Sequence, residues 1–128
     1  TLRHPLAPPN ILAVRREAWS RCSRRDSGPP QGAPSLLLLV TSPHFTGTGP
    51  FLGSRFVLHL QASKDGGMTW AAHREIEYTA GPEDWFSYSS LELDEMDCVL
   101  HLVYRYNNQT DHRVSAVHQR FPFNESVW

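Results

Sequence analysis

The octapeptide Ser63-Lys64-Asp65-Gly66-Gly67-Met68-Thr69-Trp70 constrains this chain more than any other stretch. Its two adjacent glycines accept the left-handed backbone that a tight reversal needs, and the Asp before them has a carboxylate short enough to accept N–H groups from its own turn. Ser63 and Thr69 place hydroxyls on either side of the turn, and Trp70 adds a large apolar side chain at its exit. On the approach, Phe56, Leu58 and Leu60 share one face while Val57, His59 and Gln61 share the other, which is the period of a strand. A second strand is predicted near His73 to Tyr78, ended by Gly81-Pro82. The segment therefore reads as a hairpin locked by its own side chains, with folding roles for Ser63, Asp65, Gly67, Thr69 and Trp70. Asp65 is no candidate for acid catalysis, and the octapeptide lacks the ligand spacing of a calcium loop.

The rest of the chain also reads as short strands. Ile11 to Val14 follows a proline-stiffened entry, and Leu36 to Thr41 is apolar enough to be buried. Further strands are predicted near Phe86 to Leu93, Val99 to Tyr106 and Arg113 to Gln119, with turns at Asp94 to Asp97 and Asn107 to Asp111. Connections this short cannot cross over a sheet, so neighbouring strands should pair antiparallel. Residues 19–34 are basic and rich in Ser, Gly and Pro, and the expectation there is a loop insertion. Residues 10–14 with 36–40 resemble residues 89–93 with 99–103, and the first copy carries 19–34 where the second has only the turn at 94–97. Repeated strand units of this kind point to propeller blades of roughly 40 to 50 residues, of which the chain would hold about two and a half. The whole of 1–128 is read as one partial, all-β domain.

Charge and cysteine usage narrow the function. With a net charge of −1, the chain offers no electrostatic attraction for nucleic acid. The longest apolar run, Leu36 to Val40, is too short to span a membrane, and no targeting segment is visible. The spacing of Cys22 and Cys98 fits neither a metal site nor a redox pair, so two unpaired thiols are expected. The seven histidines lack ligand spacing, His59 and His101 read as strand-face residues, and neither a metal nor a cofactor is expected. Asn108-Gln109-Thr110 and Asn124-Glu125-Ser126 are glycosylation sequons that permit a secretory location. Trp85, Phe86, Tyr104 and Tyr106 read first as core aromatics and second as a platform for stacking a sugar.

Ser-x-Asp-x-Gly-x-Thr-Trp at 63–70 is the consensus of the Asp-box, and over residues 52–120 the chain resembles the C-terminal part of sialidases and related bacterial-neuraminidase-repeat proteins. The resemblance rests on Arg55, a strand, the Asp-box, Phe86-Ser87-Tyr88-Ser89-Ser90-Leu91 and Leu102-Val103-Tyr104. It implies two to three antiparallel blades of a six-bladed sialidase-type β-propeller. It further implies hydrolysis of a terminal sialic acid or related acidic sugar with retention, and a glycan or glycoconjugate partner. By position, Tyr88 would be the nucleophile and Arg55 one contact of the substrate carboxylate. A neutral phenol avoids the like charge that a carboxylate nucleophile would meet at an anomeric carbon bearing a carboxylate, and a guanidinium fork suits that carboxylate. The plainer roles are a strand tyrosine at the core edge for Tyr88 and a solvated strand-start arginine for Arg55. The chain departs from the family at Val103-Tyr104-Arg105, where many members carry Leu-Tyr-Glu. The other family arginines, its acid and its base have no counterpart in residues 1–50, which predicts that this segment alone is inactive. A non-catalytic glycan- or protein-binding propeller and a different carbohydrate-active enzyme, such as a polysaccharide lyase, are the alternatives.

Overall fold

In the computed structural model, residues 10–23, 32, 35–41, 57–78, 84–108 and 110–123 are described. They form β1 (Asn10–Arg15), α1 (Arg16–Cys22), β2 (Ser35–Thr41), β3 (Val57–Ser63), β4 (Ala71–Tyr78), β5 (Asp84–Asp94), β6 (Val99–Asn108) and β7 (Arg113–Pro122). One sheet runs in the order β1-β2-β3-β4 and the other in the order β5-β6-β7. Every pairing is antiparallel, and short connections require this for β3 with β4, β5 with β6 and β6 with β7. Among the described residues the two sheets stay open, and they form no closed propeller ring.

The alternation of side chains decides which faces meet. Leu36, Leu38 and Val40 of β2 and Leu58, Leu60 and Ala62 of β3 point to the same side as Leu100, Leu102 and Tyr104 of β6 and Phe121 of β7, and all are buried in one core. β5 lies against β1, and the Leu91 N–H donates to Asn10 Oδ1 at 3.1 Å, so a hydrogen bond ties these two strands together beside the apolar contact. β3 departs from simple alternation because Val57 and Leu58 are both buried, which places cover on both of its faces.

Two expectations need correction. Residues 19–34 are not all loop, because Trp19 through Cys22 belong to α1 and both Ala18 and Trp19 are buried. Basic composition hid this element: a helix of seven residues is marginal alone and is held here by one apolar face packed on the core. Residues 24–31, 33 and 34 lie outside the described residues. Cys22 and Cys98 are also not free thiols, since they are joined in a disulfide across a Cα–Cα distance of 5.4 Å. Their separation of 76 positions concealed a proximity that arises only when α1 packs beside the β5–β6 turn. The same turn is gripped by charge, for Glu95 accepts from Arg15 Nη2 at 3.2 Å and from Arg21 Nη2 at 2.9 Å.

Candidate functional site

The Asp-box hairpin joins β3 to β4. Asp65 Oδ1 accepts from the Ser63 hydroxyl at 2.7 Å and from the Thr69 N–H at 2.9 Å, while Oδ2 accepts from the Thr69 hydroxyl. Ser63 Oγ in turn accepts the Gly67 N–H at 2.8 Å, and the Trp70 indole N–H donates to the Gly67 carbonyl at 3.1 Å. The Thr69 hydroxyl, with the Thr69 N–H and Ser63 behind it, holds the Asp65 carboxyl down to about 2. Gly66 and Gly67 both take positive φ, of 73° and 93°. A carboxylate this committed is occupied with the turn, and Trp70 is half-buried and tied down through its N–H as well as its apolar surface.

Tyr88 sits at a bulge in β5. The register runs from Ser87↔Arg105 to Ser90↔Val103, so β5 carries one extra residue there, and Tyr88 has a φ of 51°. A non-glycine residue in that region is strained, and the surrounding ladder must hold it. The ring is 59% exposed, which removes it from the core edge. The Arg105 guanidinium stands 5.9 Å from the ring centroid, within reach of a cation–π contact. Among the described residues the Tyr88 hydroxyl has no hydrogen-bond partner. Arg55 lies outside the described residues.

A different tyrosine has a carboxylate partner. The Tyr104 hydroxyl of β6 donates to Glu77 of β4, and the Gln119 side-chain amide of β7 donates to both, at 2.7 Å to Tyr104 and 3.0 Å to Glu77. Burial, followed by the hydrogen bond to Glu77, pushes the Tyr104 phenol well above its ordinary value, so it stays neutral. Nearby, Asp84 accepts from the Tyr106 hydroxyl at 2.8 Å and from Asn108 Nδ2 at 2.6 Å, and the bond to Asp84 raises the Tyr106 phenol as well. Glu77, Asp84, Tyr78, Phe86, Tyr106 and Val117 line an open cleft of about 360 Å³. It offers two carboxylate acceptors and aromatic walls. Sequence reasoning missed Glu77 and Gln119 as partners of Tyr104, because the cluster joins both sheets. The one available signal was Gln119 itself, a polar residue on the face of β7 that also carries Val117 and Phe121.

The Asp94 to Asp97 turn is a local structure: Asp94 Oδ1 accepts the Asp97 and Met96 N–H groups, in that order of influence, and its carboxyl is lowered by them. In the first sequon Asn108 is committed on both ends, donating to Asp84 and accepting the Asp111 N–H at 3.0 Å. Asn124 lies outside the described residues. Among the described residues no group of three or more His, Cys, Asp or Glu is gathered to hold a metal ion. No described helix is long and apolar enough to cross a membrane. Comparison with protein-family models, with curated proteins and with solved structures finds no match to this chain.

Proposed function

We propose that this chain is part of a sialidase-like glycoside hydrolase domain acting on a terminal sialic acid or a related acidic sugar. The observation that carries the reading is the Asp-box hairpin, with its Ser63–Asp65–Thr69 hydrogen bonds, between the third and fourth strands of a four-stranded antiparallel sheet. Such a sheet, with a second one stacked beside it, is what two neighbouring blades of a propeller would supply. Tyr88 is the proposed nucleophile. Its exposure on a strained bulge supports that role, because a nucleophile must present its oxygen to substrate and bulges re-aim side chains. Arg105, beside the ring, would add positive charge near an acidic sugar. The disulfide fits folding in an oxidising compartment, where glycoconjugates are met.

A specific observation favours a second reading. A phenol needs a base to attack at neutral pH, and among the described residues no carboxylate touches the Tyr88 hydroxyl. A glycan-binding Asp-box domain would need none. The two readings separate in one experiment on the protein that carries this segment: labelling with a fluorinated sialoside, which traps the tyrosine of a retaining sialidase as a covalent adduct. Adduct on Tyr88, lost in Tyr88→Phe, is the expected result. Binding of sialylated glycan without adduct would establish the binding domain instead.

A further inference from the structure

We propose that His101 and His118 form a bidentate site for a borderline divalent transition-metal ion of the Zn²⁺ class on the outward face of the β5-β6-β7 sheet. His101 lies between the fully buried Leu100 and Leu102, so its ring stands on the face of β6 turned away from the core. His118 lies between Val117 and Gln119, both on the core-facing side of β7, and stands on the same outward face. The register Val103↔His118 and His101↔Arg120 makes the two histidines diagonal neighbours. Their rings are nearly coplanar, at 14° with centroids 5.2 Å apart, and His101 Nδ1 is 3.0 Å from His118 Nε2.

At that distance one ring nitrogen donates its proton to the lone pair of the other. A metal ion can take the place of such a shared proton when the donor ring releases it to water and takes up a proton from water at its other nitrogen, which keeps both imidazoles neutral and leaves a lone pair on each facing nitrogen. Two Zn–N bonds of about 2.05 Å at a tetrahedral angle set the nitrogens about 3.3 Å apart, a few tenths of an ångström from where they stand. Both histidines ride on paired strands of a continuous ladder, so little ordering remains to be done on binding.

The surroundings also suit a cation. The pair lines an open cleft of about 620 Å³ together with Glu92, Asp94 and Glu95. Glu95 is taken by Arg15 and Arg21, and Asp94 by the amides of its turn. Glu92 is exposed, pairs directly with His101 across β5 and β6, and has no hydrogen bond or ion pair among the described residues. It adds negative charge beside the pair without ligating, and water fills the remaining coordination positions. Arg120, opposite His101 on β7, is exposed and long enough to hold its charge out in water.

Calorimetric titration of the full chain with Zn²⁺ at neutral pH tests the site, with Mg²⁺ as the hard-cation control and circular dichroism as the check on folding. We expect one equivalent of Zn²⁺ to bind, with affinity reduced at least about ten-fold in His101→Ala and in His118→Ala and by a smaller factor in Glu92→Gln. His59→Ala, on the other sheet, should bind as the parent does, and Mg²⁺ should give no heat. Zn²⁺ should raise the melting temperature of the parent and leave that of His118→Ala unmoved. Should either alanine variant fold poorly, His101→Gln and His118→Gln carry the same expectation. Equal Zn²⁺ affinity in the parent and the histidine variants, or no saturable Zn²⁺ binding by the parent, would overturn the proposal.

Discussion

The Asp-box hairpin and the clasp around Glu95 both fasten a turn, and they do it by opposite means. In the hairpin every fastening group lies within residues 63–70, and each bond closes over at most four positions. At the clasp, Arg15, Arg21 and Cys22 reach Glu95 and Cys98 from 74 to 80 positions away. A local clamp costs little chain entropy and can form before the rest of the fold, whereas a distant one is stabilising in proportion to the freedom it removes from the unfolded chain.

That contrast orders the effects of breaking each part. Reduction, or Cys22→Ser with Cys98→Ser, should remove about 4 kcal/mol in the chain-entropy account of a loop this long, read as a drop in the denaturation midpoint with the native circular dichroism kept. At the hairpin Gly67→Ala should destabilise by about 1–2 kcal/mol, because alanine resists the φ of 93°. There is room for the methyl, 3.5 Å from Leu37 Cδ1, so a loss far beyond that would mean packing and not backbone is at stake.

Asp65→Asn should show its smaller effect as a pH dependence. The folded carboxyl is depressed to about 2, below an unfolded value near 4, so its stabilisation is complete above about pH 4, fades as pH falls toward 2 and is absent below. Melting curves of the parent and the variant should therefore differ at neutral pH and converge on acidification through that window. A gap that stays constant to pH 2 would show that Asp65 does not act through its charge. Smallest of all, Glu95→Gln should cost less than about 1 kcal/mol, since both arginines are well exposed and solvent screens the pair. Its loss should shrink further in high salt, and the disulfide variant should show no such salt dependence.

The elements legible in the sequence are those with local grammar. Ser63 to Trp70 spells its turn, and the alternation in Leu100-His101-Leu102-Val103-Tyr104 spells a strand with one face buried. The bulge at Tyr88 was not legible, because Ser87-Tyr88-Ser89-Ser90 contains no glycine to mark an extra residue in the ladder. α1 hid at the edge of a basic stretch, anchored by Ala18 and Trp19, and its partner surface on the core lies far off in sequence. The candidate site divides in the same way. Tyr88 was singled out by its neighbours in the chain, while Glu77, Tyr104 and Gln119 meet only because β4 approaches β6 and β7, and His101 finds His118 only through register. Residues that become neighbours by stacking or diagonal pairing leave no spacing to read.

The bond between Cys22 and Cys98 also changes what kind of object the chain is, since β2, β3, β4 and β5 all lie on the covalent ring it closes. A peptide bond hydrolysed anywhere on that ring opens it without dividing the molecule. A protease that cuts one of the connections between these strands would yield a product that still migrates as one species until a reductant is added. The fold can thus be cut in its middle and keep its two sheets in each other's company.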